Sequence, residues 1–187
     1  MDTDRQLVDK VLSGNKNAFD MLVLRHQHKV YSLVSRFASD SAEVEDICQE
    51  AFIKAYRALP SFRGDSAFYT WLYRITINTA KNHVLSRKRR PLTNNVQVED
   101  AEISETGSAL SDIADPESNL VTQKLKKAIF DAIEELPDDL RTAFTLREFS
   151  GLSYEDITLV MGCPVGTVRS RIFRAREIID GKIRTLL

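Results

Sequence analysis

The feature that most constrains this chain is a break in the middle of its 187 residues. Residues 91–120 read PLTNNVQVEDAEISETGSALSDIADPESNL, with seven Asp and Glu, no Lys or Arg, and no aromatic side chain. Such a stretch buries too little apolar surface to offset the entropy of ordering it, so a flexible acidic linker is expected there. The flanks, 1–90 and 121–187, carry apolar residues at helical spacing and no convincing period-two strand. The expected fold is all-α: two small helical domains joined by the acidic linker.

In the first flank, Leu7, Val8, Val11 and Leu12 predict a short helix stopped by Gly14. A longer helix passes through Phe19, Leu22, Val23, Val30, Leu33, Val34 and Phe37. Two more are expected over about 42–59, stopped by Pro60, and about 66–87. In the second flank Asp115 is the expected N-cap of a helix with Pro116 in its first position. That helix continues through Leu125, Ile129, Ala132, Ile133 and Leu136; Pro137 interrupts it, and another reaches Phe149 before Gly151.

The formal net charge of −1 conceals a polar layout. Residues 1–90 hold 15 Lys and Arg against 10 Asp and Glu, while 169–184 hold six against two. Basic ends around an acidic centre suit nucleic acid. The linker acids are expected to stay off phosphates and to screen the basic surfaces when no nucleic acid is bound. No apolar run nears the ~18 residues of a membrane span. The opening Met1-Asp2-Thr3-Asp4-Arg5 lacks a signal-peptide layout, and Cys48 and Cys163 are too few for a disulfide scaffold. A cytoplasmic location with reduced thiols is expected.

Three helical faces carry the functional reading. Ser153-Tyr154-Glu155-Asp156 resembles a capping box, Gly162-Cys163-Pro164 is turn chemistry, and a basic helix follows over about 165–180. Its winding puts Val168, Ile172, Ala175 and Ile179 in one stripe. Ser170, Phe173 and Arg174 fall opposite, flanked by Thr167, Arg169, Arg171 and Arg176. This is a helix-turn-helix, whose second helix enters the major groove. An Arg paired bidentately with guanine gives ~1–3 kcal/mol of discrimination. The plainer alternative, a solvated arginine face, leaves an exposed Phe173 among cations without a purpose.

The second face lies in 62–90. Phe62, Phe68, Tyr69, Trp71 and Tyr73 are five of the chain's fifteen aromatics, and Lys81, Arg87, Lys88, Arg89 and Arg90 close the segment. Winding gives Phe68, Tyr69, Leu72 and Ile75 a broad apolar side and gathers Thr70, Trp71, Arg74, Asn78, Lys81 and Asn82 on the other. Aromatics among amides and cations supply what unpaired bases need: stacking surfaces, edge-reading groups and phosphate partners. A half-buried Trp with solvated neighbours is the alternative. The turn Arg63-Gly64-Asp65-Ser66 precedes the helix. The third face, on 42–59, sets Asp46, Gln49, Glu50 and Arg57 around an exposed Ile53, opposite Val44, Ile47, Ala51, Ala55 and Leu59. A hydrophobe ringed by mixed charge suits a protein interface better than DNA, or else a solvated face with one stray Ile.

Enzyme signatures are missing: there is no GxxxxGK[ST], GxGxxG, HExxH or GxSxG. His26 and His28 lack nearby companions for a metal. No catalytic residue, cofactor, metal or small-molecule substrate is expected.

Two long runs carry a resemblance. DICQEAFIKAY at 46–56 with SFRGDSAFYTWLYRI at 61–75 resembles the promoter-melting domain of extracytoplasmic-function sigma factors. LPDDLR at 136–141, GLSYEDI at 151–157 and PVGTVRSRIFRAR at 164–176 resemble their second domain. The resemblance spans the chain outside 91–120 and is nearest the envelope-stress branch, the sigma-E and AlgU type. It implies a transcription initiation factor with sigma domain 2 at 1–90 and sigma domain 4 at 121–187. It implies that Asp46, Gln49, Glu50 and Ile53 meet the clamp coiled coil of the largest subunit of core RNA polymerase, and that the C-terminal domain meets the flap of the second-largest. Arg63, Gly64, Asp65, Ser66, Phe68, Trp71, Arg74, Asn78, Lys81 and Asn82 would hold the melted non-template strand of the −10 element. Asn78 and Asn82 would line a pocket for a flipped base, and the 64–68 loop would be its lip. Pro164, Val165, Gly166, Thr167, Arg169, Ser170, Arg171, Phe173, Arg174 and Arg176 would meet the −35 duplex, with 164–167 nearest phosphate. An inner-membrane anti-sigma factor is a further implied partner. Residues 91–120 stand where larger housekeeping sigma factors have a middle domain.

Magnitudes require the polymerase. Parting ten base-pair steps costs on the order of 14 kcal/mol at ~1.4 per step. Each captured base returns only ~1–3 kcal/mol by stacking. Two rivals make different predictions. A self-sufficient dimeric regulator binds palindromes without polymerase but leaves the 42–59 face and the aromatics unexplained; a nucleic-acid-processing enzyme lacks its motifs.

Overall fold

The computed structural model describes residues 2–38, 40–89 and 127–184, with the side chains of 87–89 outside that description. The linker and the helix start at Asp115 lie outside the described residues. All regular structure among those described is helical.

The first domain holds α1 (Asp4–Leu12), α2 (Asn17–Val34), α3 (Ser41–Ala58) and α4 (Phe68–Arg89). Thr3 opens α1 with a capping box shared with Gln6, and Asp40 caps α3 by accepting from the Ala42 amide at 3.0 Å. The second helix stops at Val34, short of the expected Phe37. There the chain tightens into a turn, with the Phe37 amide donating to the Val34 carbonyl at 2.8 Å. Phe37 stays buried all the same. Pro60 ends α3 through a single 3₁₀ turn, Leu59–Ser61. Leu22, Leu33, Ile47, Leu59 and Leu72 fill the centre at 2% exposure or less. At ~1.5–3 kcal/mol per buried side chain, these contacts and not the individual helices hold the bundle together.

The second domain comprises α5 (127–134), α6 (Asp138–Glu148), α7 (Tyr154–Met161) and α8 (Val165–Arg184). Ala132, Ile133 and Leu136 pack with Ala175 and Ile179, while Leu146, Ile157, Val168 and Ile172 close the helix-turn-helix. The two domains also touch. Thr70 on α4 donates to Asp156 Oδ1 on α7 at 3.0 Å, and Lys81 pairs with Asp139 on α6 at 3.2 Å. The Arg36 guanidinium lies over Phe130 and Phe149, at 4.7 and 4.3 Å from the ring centroids.

Candidate nucleic-acid interfaces

The helix-turn-helix is fixed by its ends. Ser153 Oγ accepts from the Asp156 amide at 3.0 Å and donates to Asp156 Oδ2 at 2.7 Å, so cap and third helical residue lock each other. Gly162 ends α7 at φ 63°, ψ 35°, a left-handed conformation that costs a side-chain-bearing residue ~1–2 kcal/mol. That turn aims α8. Its stripe Val168, Ile172, Ala175 and Ile179 is buried, as its spacing predicts. Ser170, Phe173 and Arg174 face solvent, Phe173 at 61% exposure. Pro164, Val165 and Gly166 are exposed at the helix start, with Thr167 half-buried, and the Thr167 and Val168 amides are taken up by the Pro164 carbonyl.

The arginines of α8 are not equivalent. Arg171 donates to Asp139 Oδ2 at 2.6 Å and to Cys163 Sγ at 3.3 Å, and Arg176 pairs with Glu148. Arg169 lies 5.5 Å over the Tyr154 ring. Arg174 is exposed and enters no ion pair among the described residues. On the solvent face shared with Ser170 and Phe173 it is the cation that can take up a ligand without first breaking an ion pair.

On α4 the exposed row is Arg74, Asn78 and Asn82, with Trp71 half-buried beside it. Trp71 rests on Phe62 and Phe68, at centroid distances of 5.1 and 5.7 Å, so part of its ring is anchored and part is open. Arg63, Gly64 and Asp65 are exposed and Ser66 half-buried; Gly64 has φ 76°, with no atom within 4 Å of a Cβ built on it. The structure corrects two expectations. Phe68, expected in the lip, is 4% exposed and stacks inward near Phe62, Trp71 and His26, so it supports the loop from beneath. Thr70, expected on the open face, is 1% exposed because α7 covers it. Lys81, at the same edge, is half-buried and held by Asp139.

On α3, Asp46, Gln49 and Glu50 are exposed around Ile53, which is 43% exposed. Glu50 pairs with Lys54 at 2.7 Å. On the flank of this helix, burial and then Glu45 push the Cys48 thiol up to about 11, which keeps it protonated and unreactive. Beneath the aromatic cluster, His26 Nε2 lies 2.9 Å from Asp4 Oδ2, while burial holds the imidazole below its ordinary range. Sequence reasoning missed the carboxylates Asp139, Glu148 and Asp156 as partners of the basic residues. Their signal is faint, because acids in a first turn or beside a turn are ordinary helix-end chemistry.

No group of His, Cys, Asp and Glu among the described residues is arranged for a metal, and no described helix is long and apolar enough to cross a membrane. Residues 22–90 match the model of Sigma-70 region 2, and residues 126–179 match that of Sigma-70, region 4. With a helical bundle and a helix-turn-helix matching these two models, the chain belongs to the sigma-70 family of RNA polymerase sigma factors, in its extracytoplasmic-function branch. It is 60% identical to the RNA polymerase sigma-H factor of Pseudomonas aeruginosa over 184 residues, covering 98% of this chain and 95% of that one. It is 58% identical to the ECF RNA polymerase sigma-E factor of Escherichia coli K12 over 185 residues, covering 99% and 96%. Among solved structures, CnrH in complex with the cytosolic domain of CnrY superposes with a TM-score of 0.70 at 26% identity, over 98% of this chain and 99% of that one. The protein thus directs RNA polymerase in transcription initiation as a DNA-recognising factor and not as a catalyst.

Proposed function

We propose that this sigma factor reads the −35 element as duplex with α8 and captures the melted non-template strand of the −10 element with α4 and the loop before it. The observation that carries this reading is the pairing of two unlike faces in one chain. One is a basic helix with exposed Ser170, Phe173 and Arg174. The other is an aromatic and amide row of Trp71, Arg74, Asn78 and Asn82. The first suits base edges in a wide groove, the second splayed bases. Residues 164–167 sit at the start of α8, where amides and the helix dipole favour phosphate. On α3, Ile53 ringed by Asp46, Gln49 and Glu50 fits the clamp coiled coil of the largest polymerase subunit, and the C-terminal domain fits the flap of the second-largest. Melting is selective capture of opened bases, with the polymerase supplying the larger part of the cost. CnrH, a structural neighbour, is held by the cytosolic domain of CnrY. A comparable regulator, an anti-sigma factor anchored in the inner membrane, would hold this chain in the cytoplasm. The relatives named sigma-E and sigma-H support promoters of the envelope-stress type.

Run-off transcription by core polymerase with and without the chain tests the reading. Trp71→Ala with Asn78→Ala is expected to abolish permanganate reactivity of promoter thymines while the chain still co-purifies with core. Normal reactivity in that double variant refutes the assignment of α4.

A further inference from the structure

The aromatic cluster of α4 stands on a titratable ring. Trp71 rests on Phe62 and Phe68, and Phe68 rests in turn on His26 of α2, at a centroid distance of 5.5 Å. Separations of about 4.5–7 Å are those of packed aromatic rings. His26 is as deeply buried as Phe68, and its place is fixed from α1, where Asp4 Oδ2 lies 2.9 Å from Nε2. Asp4 also holds Arg25 at 2.5 Å, and Arg25 donates to the Asp2 carbonyl at 2.7 Å. Contacts therefore run from the start of α1, through one imidazole, to the underside of the rings that carry Trp71.

The two nitrogens of that imidazole are placed differently. A carboxylate only accepts, so Nε2 carries the hydrogen towards Asp4 and Nδ1 keeps a bare lone pair. Nδ1 is buried and has no hydrogen-bond partner among the described residues. A proton added there becomes a buried donor with no acceptor, on a ring that has taken up charge away from water. The charged groups facing the ring are Asp4 from α1, which favours the proton, and Lys29 and Arg25 from α2 itself, which oppose it; α4 meets it with the uncharged Phe68. Burial outweighs Asp4 and holds the imidazole below its ordinary range.

We infer that His26 is a positioning residue for capture of the −10 strand: neutral and held by Asp4 it backs Phe68 and so presents Trp71, and its protonation withdraws that backing, so that capture is lost in acid. The consequence for DNA rests on the −10 reading of α4; the contacts do not. His26 touches no base. To satisfy a proton on Nδ1 the ring must turn or withdraw, and Phe68 then loses the surface it packs on. With protonated chains unable to capture, apparent affinity scales with the neutral fraction and falls about tenfold for each pH unit below the titration.

The test uses holoenzyme and a labelled single strand carrying the −10 element of a promoter it transcribes. Fluorescence anisotropy reads capture from about pH 7.5 to about pH 5, the range in which a histidine changes charge. Each affinity is taken relative to that of the same holoenzyme for a −35 duplex, which cancels any response of the polymerase core. The parent ratio is expected to fall about tenfold per pH unit beneath the titration. His26→Phe keeps a ring against Phe68 and cannot titrate, and its ratio is expected to stay level. Asp4→Asn removes the one anion facing the imidazole, so its fall is expected at lower pH than the parent's. Circular dichroism over the same range establishes that the chains remain helical, and either variant alone suffices. A level parent ratio, the mark of acid acting on the whole chain or not at all, overturns the positioning role. A fall that His26→Phe retains places the titration in another group and overturns it too, as does a fall in Asp4→Asn at higher pH than in the parent. Failure of the parent to bind the strand even at pH 7.5 instead overturns the −10 reading itself, which permanganate reactivity reports independently.

Discussion

Arg174→Ala offers the sharpest trial of the duplex-reading helix, because the structure isolates its effect. Under the proposed reading Arg171 and Arg176 would have to surrender Asp139 and Glu148 to reach DNA, whereas Arg174 is exposed and in no ion pair among the described residues. Deleting Arg174 therefore removes the proposed DNA contact and no ion pair among the described residues. If that contact is bidentate to a guanine, its loss costs ~1–3 kcal/mol, which is about 5- to 150-fold in promoter use. Arg176→Ala provides the contrast. Its pair with Glu148 has side chains 51% and 36% exposed, and pairs so solvated are worth ~0–1 kcal/mol. The assay is run-off transcription by reconstituted holoenzyme on a promoter with its −35 element intact and on one with that element scrambled. The loss from Arg174→Ala is expected on the intact promoter and not on the scrambled one. Equal loss on both would mean that Arg174 touches phosphate alone, and the argument from its isolation to base reading would be wrong.

Two further outcomes follow from backbone and burial. Gly162→Ala and Gly166→Ala both meet open space, yet only Gly162 has positive φ. The first is expected to cost ~1–2 kcal/mol and the second, in the first turn of α8, to gain ~0.4–1 kcal/mol by restricting the unfolded chain. Urea unfolding with an unchanged slope checks both, and shifts of the same sign would refute the conformational argument. For His26, burial lowers the imidazole from its ordinary 6.5 and outweighs the opposing pull of Asp4. The unfolded chain then binds the proton more readily, so stability is lost as pH falls through 6.5, by up to about 1.4 kcal/mol per pH unit. His26→Gln should flatten that slope in urea midpoints taken from pH 7.5 downward; a slope left intact would locate the titration elsewhere.

Local pattern alone determined the helices and most of their inward faces. The stripe from Val168 to Ile179 and that from Val44 to Leu59 are buried as their spacing requires, and Ser153 and Gly162 bound α7 as their chemistry requires. Ile53, Phe173, Arg174, Asn78 and Asn82 are exposed for the same reason, since they lie opposite those stripes or beyond the apolar arc. Periodicity measures one helix against one core. It cannot register a helix that faces two, and α4 does. Thr70 was legible only as a polar residue beside Trp71, and its burial depends on α7, 86 residues further along the chain. The same holds for Asp139, an ordinary first-turn acid in sequence, which the tertiary structure sets between Lys81 and Arg171. Side-chain spacing within a helix is fixed by its 3.6-residue turn, but which charges meet across domains is fixed by how the two bodies dock, and that no local period encodes.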